Sequence, residues 1–470
     1  MAQIKPLTMT QIAAATGGRL TGDPALTVSS VVIDSKQARP GCLFVPQIGK
    51  RVDAHDFIAS AAGNGAVAAV VSRQPADITS LYALVTVDDT LQALKDIALY
   101  HRLRFSVPVI TVTGSVGKTS TKEMIADALS ASWKVAKTAG NMNSQVGLPL
   151  SLLTLDEGDQ AGIFEVGMSE PGEIAELSRI ARPDIAVITN IGISHIEQLG
   201  SQDNIMREKL SINSGMSDKG ILVLKGDDPF LAPYRDKLPQ RTVFYGMADW
   251  CDYRAGDIVS DLTGVKFVLH YPGGRQEVKL SIPGEHNVYN ALAALAVADL
   301  CGVGLAEAAA GLADFHSEKM RLQITECSGI HIIDDTYNAS PDSMRAALAV
   351  LADLNPARRR IAVLADMFEL GSFSRQSHYD LGLTVASLGI DLLLTVGERA
   401  AGIADGVEAA EGTTKTERFS TNGEAIARLQ VLIEAGDAVL VKGSRGMHCE
   451  EIVAGIMEGQ GKLLNKDRHR

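Results

Sequence analysis

The chain has 470 residues, 46% of them hydrophobic and 21% charged, a composition that buries several cores and, at this length, suggests about three domains. Its 44 Lys and Arg against 56 Asp and Glu give a net charge of −12, which argues against a general nucleic-acid binder, and no apolar run approaches the ~20 residues of a membrane helix. The opening residues carry no secretory apolar segment, and Cys42, Cys251, Cys301, Cys327 and Cys449 are scattered without CxxC spacing, which reads as reduced thiols of a cytoplasmic protein.

In chain order, short strands are expected over 28–33, 42–46, 66–71 and 83–87, and a helix over 90–103 leads to Pro108. A β-branched apolar run over 107–113 then meets Gly114-Ser115-Val116-Gly117-Lys118-Thr119-Ser120, after which Met124, Ile125, Ala128 and Leu129 mark one face of a helix. Strand, glycine loop and helix together turn a row of backbone N–H groups onto a phosphate chain. The two glycines let the backbone approach, Lys118 can reach the β- and γ-phosphates, and Thr119 can hold Mg²⁺. The general phosphate-loop pattern has a further Gly where this chain has Val112, so the loop is a shorter Gly-x-x-Gly-Lys-Thr form. A chance Gly-rich turn would not place Lys-Thr in register behind a strand, so a nucleoside triphosphate is the expected ligand.

Strands over 162–166, 184–189, 220–224 and 241–244 alternate with helices. A hairpin over 265–270 and 277–282 turns at Pro-Gly-Gly, and a helix over 287–300 closes this block. A third block has strands over 330–333, 360–364, 391–395 and 438–441. The alternation predicts an α/β fold with mostly parallel sheets and helices on both faces. The expected domains are 1–90, 91–316 and 317–470, with a hinge near 311–319.

Ligands in such sheets sit beyond the carboxyl ends of the strands, so the polar residues there come first. Glu165 ends a strand beside the phosphate loop, where a second oxygen ligand for Mg²⁺ belongs; alone, it would equally be a solvated strand-end carboxylate. Asn190 and His195 follow the next strand; a lone His is more often a surface or packing residue, but at the edge of the phosphate loop His195 suits a metal or phosphate, whereas Lys209, on a helical stretch, reads by itself as a solvated lysine. Asn287 and Asn290 stand one turn apart, where both amides could reach one ring edge, or Asn287 could cap the helix. The polar run Asp334-Asp-Thr-Tyr-Asn-Ala-Ser-Pro-Asp-Ser-Met344, and then Ala365-Asp-Met-Phe-Glu-Leu-Gly371 and Lys442-Gly-Ser-Arg-Gly-Met447, mark three more strand ends. Arg445 there suits a carboxylate or phosphate.

In this order the motifs resemble the Mur ligases, ATP-dependent amide-forming enzymes of peptidoglycan synthesis. The resemblance runs from Asp34-Ser-Lys-Gln-Ala-Arg-Pro-Gly-Cys-Leu-Phe44 through Gly140-Asn-Met-Asn143, Glu165-Val-Gly-Met and His286-Asn287 to Asp335-Thr-Tyr-Asn-Ala-Ser-Pro and Lys442-Gly-Ser-Arg. The last two motifs are specific for the branch that adds D-alanyl-D-alanine to UDP-N-acetylmuramoyl-tripeptide. The resemblance implies a UDP-substrate domain, a central ATPase and a C-terminal Rossmann-like domain using ATP and Mg²⁺; a monomer is the expected state. It implies Thr119 and Glu165 for one Mg²⁺, and His195 with a carbamylated Lys209 for a second. Asn287 and Asn290 would contact adenine, Asp335 the ribose, and Arg321 the γ-phosphate from across a domain cleft. Asp34, Ser35, Asn143, Tyr337, Asn338 and Arg445 would meet the substrates. This chain departs from the usual pattern at Ser144-Gln145, at Leu210-Ser211 after the carbamate lysine, at Ala365 and at Lys36. The alternatives are a ligase of the same family acting on another UDP-muramoyl peptide, a folate or a polyamino acid, or a phosphate-loop switch ATPase.

Overall fold

Three β-sheets follow one another along the chain in this computed structural model, which describes residues 2–73, 81–261, 263–355 and 357–467. The first sheet runs Ala2–Thr8, Thr27–Val32, Cys42–Phe44, Ala66–Val71, Ala83–Thr86, Arg19–Gly22 across its six strands. Its centre is parallel and both edge strands are antiparallel to their neighbours. Ala66–Val71 is almost wholly buried, as expected for a short apolar run with sheet on both sides. The two edge strands carried no readable signal: Ala2–Thr8 contains Pro6, which an edge tolerates, and Arg19–Gly22 is largely exposed.

The helix Thr90–Arg102 starts at Asp89, whose carboxylate accepts from the N–H groups of Leu91 and Gln92. It packs on Met9–Thr16 of the first block and on Gly147–Leu152 and Glu173–Ala181 of the next. Its charged residues fasten the same joint. Lys95 pairs with Glu176 at 2.6 Å, and the Arg102 guanidinium donates to Ala181 O, Phe105 O and Arg182 O. Just beyond the helix, Arg104 donates to Lys5 O at 2.8 Å.

His101 on this helix is fully buried, with Nε2 2.9 Å from Leu155 O. Burial pushes its pKa from 6.5 down to about 4. The unfolded chain therefore binds a proton that the folded chain refuses. Stability present above the unfolded value falls as pH drops through the window toward the folded value, by an amount on the order of 3 kcal/mol. His101→Phe keeps a ring beside Phe105, 4.9 Å away in the parent, and removes the titrating nitrogen. Urea unfolding at neutral pH and at pH about 5 should then give free energies closer together than in the parent. An unchanged difference would show that His101 is not the titrating group.

The central sheet has nine strands in the order Gly274–Leu280, Gly264–Tyr271, Tyr253–Asp261, Arg241–Gly246, Ile221–Lys225, Ile185–Ile188, Val109–Thr113, Ala161–Glu165, Val135–Lys137. It is parallel from Tyr253–Asp261 onward and antiparallel at the hairpin end. Tyr253–Asp261 and the three-residue Val135–Lys137 were not foreseen: one is mostly exposed over its second half, the other too short to show a period. Val109–Thr113 is buried along its whole length between Ile185–Ile188 and Ala161–Glu165. The carboxyl ends of these neighbours thus deliver Gly114, Glu165 and Thr189 side by side. Behind them Lys118–Ser130 packs on Glu285–Leu300, whose buried Ala291, Ala293, Ala294 and Ala296 allow a close approach.

The third sheet runs Gln323–Cys327, Ile330–Asp334, Ala438–Lys442, Arg360–Ala365, Leu392–Val396, Lys415–Phe419, parallel but for its first strand. The edge strands Gln323–Cys327 and Lys415–Phe419, polar and partly exposed, were again the ones not foreseen. Side-chain alternation sorts each sheet's apolar residues onto two faces. Val109, Phe164 and Ile188 join Leu7, Ile97, Ile333 and Leu440 in one apolar cluster spanning all three blocks. Ile110, Val112 and Ile163 lie in a separate cluster on the other face of the central sheet.

Candidate active site

At Gly114 and Gly117 the loop needs backbone that other residues rarely adopt, with φ of 150° and 83°. Space is tight as well: a Cβ on Gly114 would collide with Thr189 Oγ1, and one on Gly117 would stand 3.0 Å from Asn290 Oδ1. Gly117 ends the loop and the helix begins at Lys118, so the free N–H groups of its first turn face the loop. The next strand end braces the loop. Thr189 Oγ1 donates to Val116 O at 2.5 Å, Val116 N–H donates to Asn190 Oδ1 at 2.9 Å, and Gly192 N–H donates to Ser115 Oγ at 2.8 Å. Lys118 Nζ donates to Gly114 O at 2.8 Å and to Ser115 O at 3.4 Å. Burial pushes its pKa down, with Glu165 opposing and Arg321 reinforcing.

Glu165 is buried, and the oxygens expected to serve one cation are in contact: Thr119 Oγ1 donates to Glu165 Oε2 at 2.8 Å. Asn143 Nδ2 donates to the other carboxylate oxygen at 2.6 Å. Among the described residues no three His, Cys, Asp or Glu side chains gather into a metal cage. A hydroxyl and a carboxylate beside a phosphate loop nevertheless fit Mg²⁺, which takes oxygen ligands and completes its shell with phosphates and water.

Lys209, read from the residues alone as solvated, is 1% exposed. Burial, then the nearby Lys118 charge, push its pKa well down, against a smaller opposing pull from Glu208. His195 Nδ1 lies 2.7 Å from Glu369 Oε2, and this bond holds the Glu369 carboxyl below its ordinary range.

Asn287 and Asn290 do share a helix face, yet their amides are already engaged. Asn290 Nδ2 donates to Asn287 Oδ1 at 3.2 Å, Thr121 Oγ1 donates to Asn290 Oδ1 at 3.0 Å, and Asn287 Nδ2 donates to Pro283 O at 2.8 Å. Asn287 does not cap the helix, which begins at Glu285 after Gly284. Nearby, Lys225 Nζ sits 3.6 Å over the Tyr289 ring, and burial pushes its pKa down. Neither residue was singled out from the sequence, although Lys225 ends a strand and the strand-end rule reaches it.

From the third block, Arg321 stacks 4.0 Å over the Tyr337 ring. It lies between Met320 and Leu322, whose φ values of 65° and 49° are left-handed. Such backbone costs on the order of 1–3 kcal/mol per residue and gathers at functional sites. Asp335 fixes this turn: its Oδ1 accepts from Leu322 N–H at 3.1 Å and its Oδ2 from Lys442 Nζ at 2.5 Å. Lys442 also donates to Asn338 O at 2.9 Å, while Arg445 pairs with Glu450 at 3.1 Å.

One cavity of about 900 Å³ is lined from the central block by residues 114–120, Asn143, Glu165, His195, Lys209, Asn287 and Asn290 and from the third by Arg321, Asp335, Tyr337, Asn338 and Arg445. Two foreseen residues are not brought there. Asp34 accepts from Lys36 N–H at 3.0 Å as the cap of a short 3-10 turn, and buried Ser35 accepts through its carbonyl from Asn64 Nδ2 at 2.9 Å. Gln145, noted only as a departure, lines the cavity with both amide atoms buried and without a hydrogen-bond partner among the described residues.

Residues 112–298 match the Mur ligase middle domain, 320–445 the Mur ligase, glutamate ligase domain, and 27–102 the Mur ligase family, catalytic domain. The chain is 36% identical to the UDP-N-acetylmuramoyl-tripeptide–D-alanyl-D-alanine ligase of Bacillus subtilis, over 92% of this chain and 93% of that one. A crystal structure of MurF from Acinetobacter baumannii superposes with a TM-score of 0.90 at 35% identity, covering 97% of this chain and 100% of the other. MurF ligase from Thermotoga maritima in complex with ADP gives a TM-score of 0.82 at 31% identity, over 92% and 98% of the two chains.

Proposed function

The chain belongs to the Mur ligase family, and from that premise we propose that it joins D-alanyl-D-alanine to UDP-N-acetylmuramoyl-tripeptide at the expense of ATP. The observation that carries this reading is the shared cavity: a phosphate loop on one wall, and on the other a set of polar groups from a separate sheet. A switch ATPase has no use for the second wall.

A carboxylate is a poor acyl donor because its leaving group would be oxide. Transfer of the γ-phosphoryl group gives an acyl phosphate, which the dipeptide amine attacks, releasing phosphate through a tetrahedral intermediate. The protein's task is positioning and charge stabilisation. The loop N–H groups hold the phosphate chain, Lys118 and Arg321 meet the transferring oxygens from opposite walls, and Asp335 with Lys442 fixes the turn that carries Arg321. Thr119 and Glu165 would hold one Mg²⁺, and His195 with Lys209 a second once Lys209 is carbamylated. When bound, these cations offset phosphoryl charge. Lys209 suits carbamylation because the reaction with CO₂ needs a neutral amine, the form that its burial favours. Asn143, Tyr337, Asn338 and Arg445 contact the two substrates, and Asp34 and Ser35 the distant nucleotide end of the larger one.

The test is phosphate release across a panel of UDP-muramoyl peptides and amines. We expect turnover with UDP-N-acetylmuramoyl-tripeptide to require D-alanyl-D-alanine. Phosphate release indifferent to any amine would overturn the ligase reading, and preference for a single amino acid would move the enzyme to another branch.

A further inference from the structure

The loop Asp366-Met-Phe-Glu-Leu-Gly371 has no part in the chemistry above, yet it reaches the central block. Three contacts meet there. Glu369 Oε2 stands 2.7 Å from His195 Nδ1, Glu197 N–H donates to Glu369 O at 3.3 Å, and Gly371 lies so close to Glu197 that a Cβ on it would meet that side chain at 3.3 Å. His195 and Glu369 are both left-handed, with φ of 63° and 60°. A side chain there strains the backbone, so the surroundings hold both residues in place. Both line the cavity.

We infer that Glu369 is a positioning residue: by accepting the Nδ1–H of His195 from across the cleft, it holds the ring in the tautomer whose Nε2 lone pair is free for a divalent cation. The inference rests on His195 being a ligand of the second Mg²⁺. A neutral imidazole has one N–H and one lone pair, and a carboxylate on one nitrogen decides which is which. Here the carboxylate and the ring belong to different sheets. The cation site on the central block is therefore complete only when the third block is in place, and the cation in turn favours that placement.

The test uses the whole protein, Mn²⁺ as the probe and a non-hydrolysable ATP analogue, with bound Mn²⁺ counted by electron paramagnetic resonance. Glu369→Ala should weaken the second Mn²⁺ by about 10–100-fold, leaving the first Mn²⁺ and nucleotide affinity unchanged. Glu369→Gln should fall between, because its amide oxygen still accepts from Nδ1–H. His195→Ala should lose the second Mn²⁺, and adding Glu369→Ala to it should change nothing more. Glu369 is half exposed, so the variants should fold, which thermal melting checks. If His195→Ala keeps both cations, the ligand reading falls and the inference with it. If His195→Ala loses the second cation while Glu369→Ala keeps it at parental affinity, the inference alone is overturned. Equal weakening of nucleotide and both cations by Glu369→Ala would mark a merely structural contact and overturn it too.

Discussion

Lys118→Ala should slow phosphoryl transfer by about 10²–10³-fold or more in a protein that still folds. The lysine's hydrogen bonds are to two carbonyls of its own loop, so truncation leaves the helix start and the glycine turns as they were. It removes a cation held beside the phosphate path in a half-buried setting on the cavity wall, where a preorganised donor is worth more than in bulk water. It also acts on Lys209, because the Lys118 charge is one of the two influences that hold the Lys209 proton affinity down. Without it Lys209 keeps its proton more readily and is carbamylated less. Rapid-quench single-turnover measurement, with circular dichroism as the check on folding, decides the matter. Near-parental rates from a folded variant would remove Lys118 from the machinery.

Lys209→Met should move activity and stability in opposite directions. Ligation should fall by a comparable factor, and short carboxylates such as acetate or formate should partly restore it by supplying anionic oxygens. Thermal stability should rise by a few degrees. The parent confines an amine that is 1% exposed and has no hydrogen bond or ion pair among the described residues. The unfolded chain holds a proton there that the fold resists, so at neutral pH the group works against folding, and a thioether of similar length does not. Melting in CO₂-depleted buffer beside a rescue titration measures both. Parental activity together with unchanged stability would return Lys209 to an ordinary structural role.

What the sequence showed follows from how locally each feature is encoded. The phosphate loop is a contiguous motif with a strand before and a helix after, so Gly114 to Ser120 could be read directly. Buried central strands such as 66–71 and 360–364 announce themselves by apolar runs. Edge strands do not: Ala2–Thr8 carries a proline, and Lys415–Phe419 is polar and partly exposed. Cross-chain pairs were out of reach altogether. Nothing in the neighbourhood of His195 says that Glu369 will face it, and nothing near Glu165 says that Asn143 will hold its second oxygen. The asparagine pair shows the converse limit, because spacing put Asn287 and Asn290 on one face but could not say that the amides bond to each other. Lys209 reads as solvated from the sequence because helical charge usually is; only the packing around it reverses that reading.

The helix Thr90–Arg102 ties the first sheet's block to the central one through apolar packing and through Lys95, Arg102 and the adjoining Arg104. This joint sets the separation between Asp34 and the phosphate loop in the structure. For a ligand gripped at Asp34 and Ser35, that separation acts as a gauge of length. A peptide one residue short leaves its terminal carboxylate about 3.5 Å away from the phosphates, and one residue too many must buckle. With Asp34 and Ser35 gripping the substrate as proposed, peptide length would be discriminated before any contact with the final residue's side chain.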